Sequence, residues 1–168
     1  QYMLGESMLV APIFNEDGMA SYYLPKGIWT NFLTGEKVAG GQWLEEEHGY
    51  MSIPLLVRQN SIIAVGNQED QPDYDYADNV EFHVFELQDG CEASTVVYNT
   101  SGEQEMTAKA VRKGDHIEFS VTGAEKPWRI VLRGIKEIFS VDRGVKEPGE
   151  KGMTIIPEKD SFTVNISL

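Results

Sequence analysis

Three histidines, one cysteine and 27 carboxylates set against 14 lysines and arginines are the residues with which this 168-residue chain could do chemistry. Nucleophilic hydrolysis needs a serine or cysteine beside an oriented base. Ser7, in Gly5-Glu6-Ser7-Met8, lacks the second glycine of a nucleophile elbow, and Cys91 has no histidine close to it in sequence. Being alone, Cys91 closes no intrachain disulfide and builds no thiolate metal site, which suits a reducing compartment. His48, His83 and His116 are too far apart for a local zinc motif. His83 sits in an alternating run and is expected on a solvent or interface face. Gly40-Gly41 leads into Gln42-Trp43 rather than into Lys and Ser or Thr, so no phosphate-cradling loop is expected there.

The carboxylates are unevenly spread. No Lys or Arg falls between Arg58 and Lys109, an interval that holds Asp73, Asp75 and Asp78 among other acids. Asp73 and Asp75 imitate the first two ligands of a calcium loop, but Ala77 takes the third position and Asp78 replaces the turn glycine. The reading preferred is a solvated linker whose Tyr74 and Tyr76 pack on a neighbouring domain. Paired carboxylates for glycoside hydrolysis must face each other across a sugar, and acids this abundant identify no such pair. Trp29, Trp43 and Trp128 are candidates for stacking on sugar rings, although a tryptophan on a strand more often serves a core or a domain interface. The sequons at Asn99 and Asn165 matter only in a secretory pathway, which nothing else in the sequence supports.

The elements that would position these residues are strands. Phe162, Val164, Ile166 and Leu168 alternate with polar residues, as do Ile117, Phe119 and Val121 and, earlier, Val80, Phe82 and Val84. Turn signals at Thr34-Gly35, Gly40-Gly41, Asp89-Gly90, Lys113-Gly114 and Arg143-Gly144 imply short hairpins. Met8–Phe14 is nearly all apolar, which suits a strand buried on both faces as in a parallel sheet, a remnant of another domain. The apolar run Ile62–Val65 gives way to Asn, Gln, Asp and Pro between Gly66 and Asn79, the best boundary between two β-domains.

Composition excludes several classes of function. With 41% hydrophobic and 10% aromatic residues the chain should fold. A net charge of −13 disfavours nucleic acid and anionic membrane surfaces, since phosphate affinity rests on clustered Lys and Arg. No run approaches the roughly 20 apolar residues of a membrane span.

The order of motifs then resembles a known family. Tyr2-Met3-Leu4-Gly5 with Leu9-Val10-Ala11-Pro12-Ile13-Phe14, then Tyr23-Leu24-Pro25-Lys26-Gly27-Ile28-Trp29-Thr30 and Leu33-Thr34-Gly35, resemble the end of the barrel and the following β-domain of family 31 glycoside hydrolases. Ser52-Ile53-Pro54-Leu55-Leu56-Val57-Arg58 and Asn60-Ser61-Ile62-Ile63 continue that pattern. Gln71-Pro72-Asp73-Tyr74 and Phe82–Gly90 look most like the bacterial α-xylosidase branch.

The resemblance implies an all-β fold of two β-sandwich-like domains, preceded by the last strand of a (β/α)8 barrel. Residues 1–14 would be that strand, 15–67 the proximal C-terminal β-domain and 68–168 the distal sandwich. Members of the family remove α-linked sugars with retention, using aspartates at the C-terminal face of the barrel. No acid of this chain sits in a matching context, so no catalytic, cofactor-binding or metal-binding residue is carried over and no cofactor is expected. The implied role is that of a non-catalytic C-terminal fragment of an α-xylosidase or α-glucosidase, inactive alone. Its partners would be the catalytic barrel of the same polypeptide and that enzyme's α-linked oligosaccharide, in the cytoplasm. Tyr22, Trp29, Phe32, Leu55 and Leu56 are suited to barrel contact, and exposure of such a patch would give weak homo-oligomerisation. A carbohydrate-binding sandwich or a subunit-interaction domain are the alternatives.

Overall fold

The computed structural model describes residues 1–168, which contain strands, turns and no helix. The chain divides into two compact units, Gln1–Gln59 and Asn60–Leu168.

Unit 1 contains β1 (Tyr2–Leu4), β2 (Met8–Val10), β3 (Met19–Leu24), β4 (Ile28–Asn31), β5 (Lys37–Ala39), β6 (Gln42–Glu47) and β7 (Leu55–Arg58). Five of these form an antiparallel sheet in the order β1-β2-β7-β4-β5, while β3 and β6 make a two-stranded ribbon. Alternation along β3 sends Ala20, Tyr22 and Leu24 inward, where they join Leu9, Trp29 and Leu56 in one small core. The Trp29 indole N–H donates to the Pro25 carbonyl at 2.8 Å, and the Arg58 guanidinium lies over its ring. The apolar stretch from Met8 supplies only the short strand β2, antiparallel to both neighbours, so it does not stand in a parallel sheet. Pro12 has no N–H to extend a ladder, and β2 ends before it. Tyr2–Leu4 pair with Met8–Val10 across a turn in which Gly5 takes φ 63°.

Unit 2 contains β8 (Ser61–Val65), β9 (Val80–Phe85), β10 (Glu92–Tyr98), β11 (Gln104–Lys113), β12 (His116–Gly123), β13 (Trp128–Arg133), β14 (Ser140–Val141), β15 (Gly144–Gly149), β16 (Gly152–Pro157) and β17 (Thr163–Ser167). They form two five-stranded sheets, β10-β11-β12-β17-β14 and β15-β16-β13-β9-β8, the second containing one parallel pair, β9 with β13. Period-2 alternation supplies the core: Ile117, Phe119, Val121, Val164 and Ile166 from the first sheet meet Val80, Phe82, Val84, Ile130 and Leu132 from the second. Phe119 stacks on Trp128 with ring centroids 5.6 Å apart, and Phe82 approaches both rings. Phe162 departs from the alternation expected of it. The ladder of β17 begins at Thr163, and Phe162 lies outside it, exposed.

The units part between two residues tied to different ladders. Gln59 accepts the Ile28 N–H of β4 through its side chain, whereas the Asn60 side chain accepts the Gln88 N–H beyond β9. Ile62–Val65, placed before the boundary by composition, lie in β8 and pair with β9 in unit 2. The polar stretch that follows packs on unit 2 itself. Tyr74 and Tyr76 meet edge to face at 4.9 Å, Tyr76 packs against the unit 2 core, and a side chain on Gly66 would run into the Tyr74 ring.

Candidate functional site

A concavity of unit 1 lies where the chain leaves β6 and turns back into β7. The groove encloses about 840 Å³ and is lined by Ile13, Asn15, Leu33, His48, Tyr50 and Ile53 among others. A short hydrogen-bonded network shapes it. The His48 main-chain N–H donates to the Gly18 carbonyl at 2.8 Å, anchoring the β6 end, and the Ser52 N–H donates to Gly49 at 3.2 Å. One ring nitrogen of His48 lies 3.1 Å from Ser52 Oγ and the other 3.2 Å from Glu46 Oε2, which also accepts the Tyr22 hydroxyl at 2.9 Å. Burial first, and then the Glu46 carboxylate, push the Tyr22 phenol above its ordinary pKa.

Hydroxyl, imidazole and carboxylate in that order are the parts of an activated nucleophile. Here all three come from residues 46–52, and the carboxylate is shared with Tyr22 of the core, so the set staples the loop that carries Gly49, Tyr50 and Met51. That loop holds Tyr50 and Met51 out in solvent, and Phe14 and Leu33 are exposed as well. The structure thus presents a concave apolar edge without a core partner. The contact residues expected from sequence lie elsewhere: Tyr22, Trp29 and Leu56 are inside the unit 1 core, and Phe32 and Leu55 are half-buried. Alternation places them on an inward face, and it is the loop apolars Phe14, Leu33, Tyr50 and Met51 that remain free. Gly49-Tyr50-Met51, an apolar pair on a loop between two strands, is the signal that could have found them.

The other residues singled out by type are scattered. His83 is 0% exposed, which corrects its expected surface position. It occupies interior strand β9, flanked by β13 and β8, where its imidazole is 3.1 Å from Glu81 Oε2 and 3.4 Å from Arg133 Nη1. Burial, with help from Arg133, holds its pKa down against the pull of Glu81. His116 is exposed and 3.1 Å from Ser167 Oγ. Cys91 is half-buried against the unit 2 core. Ser7 lies in the β1–β2 turn, its carbonyl accepting the Arg58 N–H.

The acidic segment is paired with a cation from outside it. Asp75 accepts the Lys126 ammonium at 2.7 Å and caps the Ala77 N–H, and Lys126 also bonds Glu105. Hydrogen bonding to Lys126 is the chief reason the Asp75 carboxyl is held below its ordinary pKa. No three His, Cys, Asp or Glu side chains converge where a metal ion could be held. The sequon asparagines are tied up in local structure, Asn99 in the β10–β11 turn and Asn165 within β17. Asn99 accepts the N–H groups of Ser101 and Glu103, and the Asn165 amide donates to Asp142 at 2.9 Å. Of the three tryptophans, Trp29 and Trp128 are core residues and Trp43 is 68% exposed.

Comparison with known proteins assigns each unit. Residues 1–63 match the profile described as "Glycosyl hydrolase family 31 C-terminal domain", and residues 75–168 match "Alpha-xylosidase YicI, C-terminal domain". The α-xylosidase XylQ of Lactiplantibacillus pentosus is 39% identical over 126 residues, covering 73% of this chain and 16% of that protein. An α-xylosidase of Emericella nidulans is 32% identical over 92 residues, covering 50% of this chain and 12% of its own. The chain therefore spans a small part of the length of the relatives it matches. Among solved structures, the GH31 dextranase FjDex31A of Flavobacterium johnsoniae superposes with a TM-score of 0.79 at 18% identity, over 98% of this chain and 26% of that one, which shows a shared fold.

Proposed function

Because the chain belongs to glycosyl hydrolase family 31, whose C-terminal domain profiles match both of its units, we propose that it is the non-catalytic C-terminal part of a retaining enzyme that removes terminal α-linked xylosyl or glucosyl residues. The catalytic aspartates of that reaction belong, on this reading, to a barrel outside the 168 residues, and the chain's work is to cover and brace that barrel. One observation carries the reading: the concave edge of unit 1 exposes Leu33, Tyr50 and Met51, the last two on a loop that the His48 network holds in place, and Phe14 is exposed next to the groove residues Ile13 and Asn15. Full burial of each such side chain would contribute roughly 1.5–3 kcal/mol, enough for a few residues to hold a domain against its neighbour. Left uncovered, the same edge drives weak self-association of the isolated chain.

Two assays test the proposal. The chain alone should release no xylose from an aryl α-xyloside, and the full-length enzyme carrying Tyr50→Ser and Met51→Ser should keep its kcat while its Tm falls. Xylose released by the isolated chain would place catalytic groups inside it, and an unchanged Tm would remove the bracing role.

A further inference from the structure

The ribbon of β3 and β6 has a second face. Its inward side carries Ala20, Tyr22 and Leu24, and its outward side carries Ser21 and Tyr23 opposite Glu45 and Trp43. Trp43 is 68% exposed and Tyr23 37%, and the two rings meet edge to face at 5.7 Å and 62°. This pair is held from both sides. The Gln1 side-chain amide bonds the main chain of Tyr23 twice, donating to its carbonyl at 2.8 Å and accepting its N–H at 2.7 Å, as a neighbouring strand would. On β6, the Gln42 amide beside Trp43 donates to the Ala39 carbonyl at 2.7 Å. The next cross-strand pair along the same face, Ser21 with Glu45, is exposed and polar.

We propose that this face binds a neutral oligosaccharide, with one pyranose ring stacked on Trp43 and its hydroxyls bonded by Ser21 and Glu45. A pyranose offers a flat C–H face bordered by hydroxyls, which needs an exposed aromatic ring with donors and acceptors at its rim. The size of the patch separates this occupant from a protein. At 150–250 Å² per large aromatic residue, the exposed parts of Trp43 and Tyr23 amount to roughly 160–260 Å². A stable protein interface needs about 800 Å² from each partner. A net charge of −13 on each copy opposes self-docking and also repels anionic ligands. An uncharged polyol meets neither obstacle. The choice of an α-linked gluco- or xylo-oligosaccharide rests on the proposed function; the platform itself does not.

The test titrates the 168-residue chain with isomaltotriose, and separately with a xylosyl-α-1,6-glucose disaccharide, following amide NMR shifts and tryptophan emission. The expected result is saturable shifts confined to residues 21–23 and 43–45, with a dissociation constant on the order of millimolar. Trp43→Ala should weaken binding at least about tenfold, and Trp43→Tyr should retain part of it, with amide spectra elsewhere unchanged because the side chain is exposed. Shifts absent up to about 20 mM sugar, or persisting in Trp43→Ala, would overturn the proposal. So would a concentration-dependent dimer abolished by Trp43→Ala, which would assign the face to a second copy. The proposed function is read separately, by the isolated chain's silence on an aryl α-xyloside and by the Tm of the full-length enzyme, so failure here and failure of the proposed function are told apart.

Discussion

Unit 2 closes its core between two five-stranded sheets, with Phe82, Phe119 and Trp128 in contact at the centre, whereas unit 1 backs its sheet with a two-stranded ribbon and leaves Phe14, Leu33, Trp43, Tyr50 and Met51 in solvent. Size explains part of this contrast. A chain of about 60 residues buries a smaller fraction of its surface than one of about 110, so its reserve of stability is thinner. At roughly 0.05–0.15 kcal/mol per residue, unit 1 would hold about 3–9 kcal/mol and unit 2 about 5–16. The residues left exposed in unit 1 explain the rest. Unit 2 exposes Tyr98, Phe139 and Phe162 as well, but two full sheets enclose its core, whereas unit 1 gathers Leu33, Tyr50 and Met51 along one groove shaped for a neighbour.

Equivalent damage to the two cores should therefore have unequal results. Trp29→Ala and Phe119→Ala each remove a fully enclosed aromatic ring at a cost of about 3–5 kcal/mol. Urea unfolding of the isolated chain, read by unit-specific NMR amides, should find unit 1 largely unfolded in the first variant and unit 2 still folded in the second. Equal tolerance of both would break the comparison.

Acid should single out unit 2. His83 is buried beside Arg133, and burial holds its folded pKa below the unfolded value, so its contribution is fully present above about pH 6.5 and is lost as the pH falls from there toward the folded pKa. The nearby charges are Glu81, which opposes the shift, and Arg133 and Lys151, which support it. The unit 2 midpoint in urea should fall between pH 7 and pH 5 (roughly the range His titrates). His83→Gln should flatten that slope.

Smaller still is the effect of Tyr22→Phe, which removes the hydroxyl bond to Glu46 and should cost unit 1 about 1 kcal/mol. The raised pKa of that phenol means its contribution is complete below the free phenol's pKa and declines as the pH rises past it. At the bottom of the scale, Tyr50→Ser with Met51→Ser should change the unfolding free energy of unit 1 in the isolated chain by less than about 0.5 kcal/mol, since neither side chain touches the core. A loss beyond that range would show that unit 1 already uses these residues internally.

Alternation made much of unit 2 legible in advance. The inward faces of β12 and β17, Ile117, Phe119, Val121, Val164 and Ile166, are where period 2 puts them. Period 2 reports which side chains share a face but not whether the opposite face is also covered, and for that reason His83 was expected outside and is found inside. It also does not report where a ladder begins, which misplaced Phe162. In unit 1 the apolar residues of the strands, Tyr22, Trp29 and Leu56, drew attention as contact residues because they are large, yet the ribbon and sheet use them up. The exposed edge is built from loops, where no periodicity exists to read, and its shaping network of Glu46, His48 and Ser52 depends on a chain reversal that spacing does not encode.

Hydrogen exchange compared between the isolated 168-residue chain and the same residues within the full-length enzyme tests the account most directly. Amides around Phe14, Leu33 and residues 48–53 should gain protection in the full-length enzyme, while those of β11, β12 and β13 stay as they are. Equal protection of the unit 1 edge in both contexts would contradict the claim that this edge is made to be covered.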